Sequence, residues 1–202
     1  MTYKKLYKIF SNIPPLETER LKLRKVTDRD CSDVFEYSSD PFVSRYLLWS
    51  EHKSIDYTKE YLYRVKCDYR IGKYYNWAIE LKDGEQKGKM IGTCGFTSFD
   101  LINNCAEIGY VINPKFWGLG IAPEALAKVI EFGFDNLYLH RIEGKYLINN
   151  KNSLKVMEKC NMRFEGVLRS SMMVKNNYED VGVCSILSNE YINHKAKAGL
   201  LI

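Results

Sequence analysis

No CxxC pair occurs among the six cysteines, and the three histidines stand alone. Zinc sites and disulfide frameworks draw on ligands or partners at recognisable spacings. The scatter of Cys31, Cys67, Cys94, Cys105, Cys160 and Cys184 therefore argues against both and fits a reducing cytoplasm. The loops GxxxxGK[ST] and GxGxxG are missing, which removes the usual nucleoside-triphosphate and dinucleotide signatures. No apolar run approaches the ~20 residues that span a bilayer, and the charged N-terminus carries no apolar signal core. Lys and Arg form no dense tract. The net charge of +5 is thus a mild bias that permits an acidic partner and predicts no direct nucleic-acid recognition. Repeats, low-complexity segments and linkers are absent. With 202 residues and 46% apolar content, the chain is expected to bury one core as a single domain over 1–202. Residues 1–15 form an N-terminal arm and 192–202 a C-terminal tail.

What is present centres on Cys105 to Leu137. Ala106–Ile112 concentrates β-branched and aromatic residues and predicts a strand. Asn113-Pro114 ends it, since proline cannot donate to a ladder. A helix is expected from about Ala122-Pro123, with Leu126, Val129, Ile130, Gly133 and Phe134 on its apolar face. Between them lies Trp117-Gly118-Leu119-Gly120-Ile121-Ala122. Two glycines allow close backbone approach, and the free amides of a helix start favour an anion, so a phosphate could sit there. An ordinary glycine-bearing turn is the competing reading.

The rest of the chain supplies a frame. Met1–Phe10 is basic and amphipathic, a docked terminal turn or a partner-binding arm. Glu17–Arg24 alternates apolar and charged residues like a half-buried strand. Helices are expected from Thr27–Asp30 to Ser38, after Asp40-Pro41 with Phe42 and Val43 packing, and over Ser54–Ile71. Tyr74–Leu81, Met90–Asp100 and the central strand form a meander, with Gly92 and Gly95 marking a bulge or close approach. His140–Leu147 follows a helical crossover and should lie parallel to the central strand. Asn149–Ser153 caps a helix over Leu154–Cys160, and Asn161 suits a left-handed C-cap. Two long strands, Arg163–Val174 and Asp180–Asn189, close the sheet, and a short helical turn follows.

Several of these stretches together resemble the GNAT acyltransferases. Trp117 to Ala122 is similar to the [QR]xxGx[GA] loop, with Trp117 in place of Gln or Arg, Gly120 as the glycine and Ala122 last. Leu16–Arg24 looks like the LxTERLxLR opening of the ribosomal-protein-alanine N-acetyltransferase subfamily. Ala106–Tyr110, Pro123-Glu124-Ala125, Arg141-Ile142-Glu143, Asn150–Ser153, Glu158-Lys159, Phe164–Arg169, Asp180 and Glu190-Tyr191 follow it in order. Cys160-Asn161-Met162 departs from the family's Leu-Gly-Phe. The resemblance implies an α+β fold, a mixed, mostly antiparallel twisted sheet with helices on both faces and a V-shaped split between two parallel central strands. It also implies acetyl-coenzyme A in that split and direct acetyl transfer to a primary amine in a ternary complex.

Carried onto this sequence, the resemblance places the coenzyme beside Ile108, Tyr110, Val111 and Ile112, with its pyrophosphate on Trp117, Gly118, Leu119, Gly120, Ile121 and Ala122. Asn150 and Ser153 would reach the coenzyme arm, or else cap a helix. Glu107 is the candidate base, or else a salt-bridge partner, and Ser153 and Tyr146 are the candidate acids. Trp49, Tyr61 and Tyr69 are candidate acceptor contacts, with core packing as the alternative. The acceptor is expected to be a (ribosomal) protein N-terminus. A small amine, or a non-catalytic acyl-coenzyme A-binding module, stands as the alternative. The final strands and the basic arm are candidates for a homodimer interface.

Overall fold

The computed structural model describes residues 2–197 and Gly199. Met1, residue 198 and residues 200–202 of the expected tail lie outside the described residues. The N-terminal arm folds into α1 (Tyr3–Phe10), where Leu6 and Phe10, four residues apart, are buried. Phe10 meets Tyr75, Trp77, Phe96 and Phe99 at ring-centroid distances of 4.9, 5.8, 6.4 and 5.8 Å. The arm is thus part of the core.

The predicted strand Glu17–Arg24 is instead two, β1 (Leu16–Glu17) and β2 (Leu21–Arg24), paired antiparallel. The chain reverses at Thr18–Arg20 because the Thr18 hydroxyl accepts from the Leu21 amide (3.0 Å), a local bond that competes with extension. Then come α2 (Cys31–Ser38), α3 (Pro41–Ser44) and α4 (Ile55–Arg70), the last capped by Ser54. Val43 is buried as expected, whereas Phe42 is 70% exposed and does not pack.

The meander forms as read, with β3 (Asn76–Leu81), β4 (Met90–Asp100) and β5 (Cys105–Ile112) successively antiparallel. Both strand glycines mark close approach. A Cβ on Gly92 would lie 2.1 Å from the Val111 carbonyl oxygen, and one on Gly95 would lie 2.3 Å from that of Tyr75. Next, α5 (Ile121–Asp135) crosses to β6 (Arg141–Leu147), which runs parallel to β5. The next helix, α6 (Lys151–Lys159), starts three residues before the predicted Leu154, because Asn150 caps it by accepting from the Ser153 amide. Asn161 is left-handed, with φ 60°. Finally β7 (Arg163–Val174) and β8 (Asn177–Leu187) pair around Lys175-Asn176, both at positive φ, and α7 (Ser188–Lys197) follows.

All eight strands form one sheet in the order β1-β2-β3-β4-β5-β6-β8-β7, with β5 and β6 its parallel pair. One face carries Trp77, Cys94, Phe96, Ile108 and Ile142 beneath α1 and α5. On the other face Ala78 and Ile91 are fully buried where α2 packs against β4 and α4. Layers on both faces leave the middle of the sheet as the place where it can open.

Candidate active site

The sheet opens between β5 and β6. Parallel pairing joins Cys105–Ile108 to Arg141–Gly144 and goes no further. Beyond it β5 stays with β4 as far as Ile112, while β6 stays with β8 as far as Leu147. The backbone facing the opening follows from antiparallel alternation. The Asn113 amide donates to the Ile91 carbonyl (2.8 Å), so Val111 and Gly109 also bond across to β4. The N–H and C=O of Tyr110 and Ile112 therefore point into the split. In agreement, the Trp117 indole N–H donates to the Ile112 carbonyl (2.8 Å).

At the end of β5, Pro114–Phe116 makes one tight turn and the glycine loop follows. Gly118 and Gly120 are left-handed, with φ 78° and 76°, a conformation costly for any side chain. A Cβ at Gly118 would meet nothing within 4 Å, so the loop is open there. Gly120 caps α5, whose first amides lack intrahelical partners, and Pro123 in that first turn sacrifices no hydrogen bond. Open backbone, unpaired amides and the positive helix end suit a pyrophosphate.

The two faces of β5 beside the split differ in chemistry. Glu107 projects to one face, where its carboxylate accepts from the Lys145 ammonium (2.6 Å). Lys145 also meets Glu143 (3.3 Å), Arg141 bridges Glu143 (3.2 Å) and Glu165 (2.6 Å), and the Ser185 hydroxyl donates to Glu165 (2.6 Å). Burial works against the Lys145 charge, but the hydrogen bonds and charges of Glu107 and Glu143 together outweigh burial and raise its pKa. Arg141 first, with Ser185, holds the Glu165 carboxyl down to about 2. Glu143, Lys145, Glu165, Gly166, Val167, Leu168 and Val183 line a shallow open depression of about 340 Å³. Two positions past Lys145 on the same face, Leu147 is covered by Val174, Val181, Tyr46 and Met172. Lys175 at the β7–β8 tip donates to the Ser44 carbonyl (3.0 Å) and closes that end.

The other face carries hydroxyls. The Tyr110 hydroxyl donates to the Ser153 carbonyl (3.0 Å) and lies 2.8 Å from the Ser153 hydroxyl. With its proton on the carbonyl, Tyr110 accepts from Ser153. Burial pushes the Tyr110 phenol well above its ordinary pKa, so it holds its proton at neutral pH.

Glu107, Tyr110, Asn150, Ser153 and the glycine loop thus gather around one split. Asn150 has the capping role, with its side chain engaged by the Ser153 amide (3.2 Å). Tyr146 is nearly buried, and its ring lies over Gly182 of β8, where a Cβ would fall 2.4 Å from it. Tyr69 is fully buried, donating to the Asn76 carbonyl (2.6 Å) and accepting from the Val26 amide (3.2 Å); this is core packing rather than an acceptor contact. Trp49 and Tyr61 flank the buried His52 at centroid distances of 5.7 and 5.5 Å, and Tyr61 meets the Tyr74 hydroxyl at 3.0 Å.

Sequence reasoning missed three contributors: the Tyr110 side chain, Lys145, and the contact of Arg20 and Thr18 with Glu124. The Arg20 guanidinium donates to Glu124 (2.7 Å) and to the Leu119 carbonyl (2.9 Å), and the Thr18 hydroxyl donates to Glu124 (2.5 Å). Thr18 and Arg20 stood in the sequence as parts of an alternating strand and of a resemblance, Glu124 as part of that resemblance, and no periodicity links positions more than a hundred residues apart.

A sheet that parts beyond its parallel pair, with an open glycine loop leading into α5, fits the acyl-coenzyme A-dependent acetyltransferase class. The Acetyltransferase (GNAT) domain family matches residues 20–163, and the chain belongs to that family. GNAT acetyltransferases use acetyl-coenzyme A. Among relatives, the chain is 35% identical to the uncharacterized N-acetyltransferase p20 of Bacillus licheniformis, over 87% of this chain and 97% of that one. It is 27% identical to the spermidine N(1)-acetyltransferase of Vibrio cholerae, over 52% of this chain and 60% of that one. A solved GNAT acetyltransferase of Bacillus anthracis superposes with TM-score 0.77 at 30% identity, over 88% of this chain and all of that one. The microcin C7 self-immunity acetyltransferase MccE, solved with acetyl-CoA and AMP, shares the fold with TM-score 0.74 at 22% identity, over 84% and 93%.

Proposed function

We propose that this N-acetyltransferase moves the acetyl group of acetyl-coenzyme A to a protein N-terminal α-amine by direct attack in a ternary complex. One observation carries the reading. Where β5 parts from β6, a carboxylate, Glu107, stands just before the opening on one face and a proton-bearing hydroxyl pair, Tyr110 and Ser153, just after it on the other. The thioester, when bound, supplies an activated acyl carbon. Backbone of Tyr110 and Ile112 and the amides from Gly118 to Ala122 hold and orient its carrier. Glu107 accepts the amine proton, directly or through one water, and the Tyr110–Ser153 pair returns a proton to the leaving sulfur. An α-amine, with a pKa of about 7.7–8.0 against about 10.4 for lysine, needs only modest help from such a base.

The acceptor reading rests on the depression beside Glu143 and Glu165. It is shallow, open and carries more acidic than basic side chains, which suits an extended cationic terminus better than an enclosed metabolite. The order of motifs from Leu16 to Tyr191 supports the ribosomal-protein-alanine subfamily. Cysteines that are all free among the described residues support a reducing cytoplasm. No helix among the described residues is long and apolar enough to cross a membrane. The edge strand β7, with Phe164 and Leu168 half exposed, is the surface on which a homodimer would pair.

Thiol release from acetyl-coenzyme A tests the proposal. Peptides with free N-terminal Ala, Ser or Met are compared with spermidine and an aminoglycoside. Release that depends on a peptide α-amine is expected. Release with the small amines alone would overturn the acceptor assignment.

A further inference from the structure

We infer that Arg20 positions the pyrophosphate-binding loop, acting on coenzyme affinity through the peptide between Leu119 and Gly120 and not by touching the reacting atoms. The inference rests on the coenzyme site proposed above. Arg20 sits in the turn between β1 and β2, far in sequence from the loop. Its guanidinium spans two groups, with Nη1 donating to the Leu119 carbonyl (2.9 Å) and Nε to Glu124 Oε2 (2.7 Å), which Nη2 also meets (2.6 Å). The Arg20 amide donates to Glu124 Oε1 (3.0 Å), and the Thr18 hydroxyl donates to the same oxygen (2.5 Å).

Two consequences follow. The described peptides are all trans, so the Leu119 C=O and the Gly120 N–H point in opposite directions across one plane. Tying the carbonyl to Arg20 therefore aims the Gly120 amide to the opposite side of that plane, away from the guanidinium. With both flanking glycines left-handed and a Cβ at Gly118 meeting nothing, nothing else on the loop restrains that plane from turning over. The second consequence is electrostatic. Glu124 lies in the first turn of α5, where its carboxylate competes with a phosphate for the same positive helix end. Burial works against its charge, while Thr18 and Arg20 hold its pKa down all the same, so the carboxylate stays ionised. Arg20 neutralises it and, with Thr18, fixes where its carboxylate sits. The planar fork of an arginine can do both at once, and a lysine ammonium cannot.

The test separates affinity for the pyrophosphate from everything else. Steady-state rates of Arg20→Ala and Arg20→Lys are compared with wild type using acetyl-coenzyme A and S-acetylpantetheine, which lacks the pyrophosphate. For Arg20→Ala, KM for acetyl-coenzyme A should rise about ten- to a hundredfold, the worth of one charge-assisted amide contact, with kcat within about twofold. Activity with S-acetylpantetheine should change less than about twofold. Arg20→Lys, which keeps the charge and guards against misfolding, should fall between. Adding Glu124→Gln to Arg20→Ala should recover part of the KM. An equal loss with both donors, or a fall in kcat at unchanged KM, would overturn the positioning role. Failure of the wild-type protein to bind coenzyme A in calorimetry would instead sink the coenzyme site on which the inference rests.

Discussion

Replacing Tyr110 by Phe removes one oxygen atom and tests which hydroxyl returns the proton. The phenol has bonds to the Ser153 carbonyl (3.0 Å) and hydroxyl (2.8 Å). At about 0.5–1.5 kcal/mol each, their loss costs about 1–3 kcal/mol of stability, against the 5–15 kcal/mol typical of a domain, so the variant stays folded. A positioned general acid contributes about 10²–10⁴ in rate. Ser153 remains beside the vacated position as a weaker substitute, so the low end applies. A hundredfold fall in the chemical step corresponds to about 2.7 kcal/mol. Ser153→Ala is the informative comparison. It leaves the Tyr110 bond to the Ser153 carbonyl intact and should lose less. Single-turnover acetyl transfer isolates the chemical step from product release. KM for acetyl-coenzyme A should hold within about twofold, because the strand presents backbone and not this side chain to the coenzyme arm. Because burial raises the Tyr110 pKa, the wild-type rate should show no alkaline fall from this group near neutrality. A Tyr110→Phe rate within threefold of wild type, or a larger loss in Ser153→Ala, would refute Tyr110 as the proton donor.

Phe10→Ala should cost about 3–5 kcal/mol in denaturant unfolding, because Phe10 is fully buried among four aromatic rings; a loss under 1 kcal/mol would mean that the arm is not core. Gly118→Ala meets no neighbouring atom, yet at φ 78° it carries about 1–2 kcal/mol of backbone strain, and it should weaken coenzyme binding measured by calorimetry. Lys89 first, opposed by burial and helped by Asn113 and Lys115, holds the Glu36 carboxyl down from 4.5 to about 2. A depressed carboxylate contributes stability above its unfolded pKa and loses it as pH falls through the folded value. Glu36→Gln should therefore flatten the decline in melting temperature between pH 4.5 and 2. The effect is about 1–2 kcal/mol after discounting for solvent screening, and unchanged acid sensitivity would refute it.

The parts of the fold that were legible in sequence are those set by local rules. The Gly-containing strands, the Pro-marked end of β5 and the αL Asn161 are each fixed by one residue's backbone preference. The single strand expected over Glu17–Arg24 failed for a reason that alternation hides. Thr18 makes a turn with Leu21, and the charged residues read as a solvent-facing stripe include Arg20, which reaches Glu124. The aromatic residues misled in a similar way. Tyr69 at helical spacing could face core or ligand, and only its two backbone partners decide. The resemblance puts Tyr110 beside the coenzyme without giving its hydroxyl a role. Its hydroxyl acquires a role because α6 starts early enough to bring Ser153 across, and that start depends on Asn150 acting as a cap.

Glu107 and Tyr110 are three residues apart on one strand, so alternation sends their side chains to opposite faces about 10 Å apart along it. The parallel pairing to β6 ends at Ile108, between them. The proposed proton acceptor and donor therefore flank the point where the sheet parts, each reaching it from its own side. Opposite Glu107 the β4–β5 register shifts between Phe96 and Ser98, leaving Thr97 as an extra residue whose hydroxyl donates to the Glu107 carbonyl (3.3 Å). A one-residue slip of β5 would exchange the faces of both groups, putting the carboxylate under α6 and the phenol beside Lys145. The meander fixes that register through Gly92 and Gly95, whose missing side chains let the neighbouring strands close on them. Chemistry at the split thus depends on two glycines and a bulge on β4, one strand away from it.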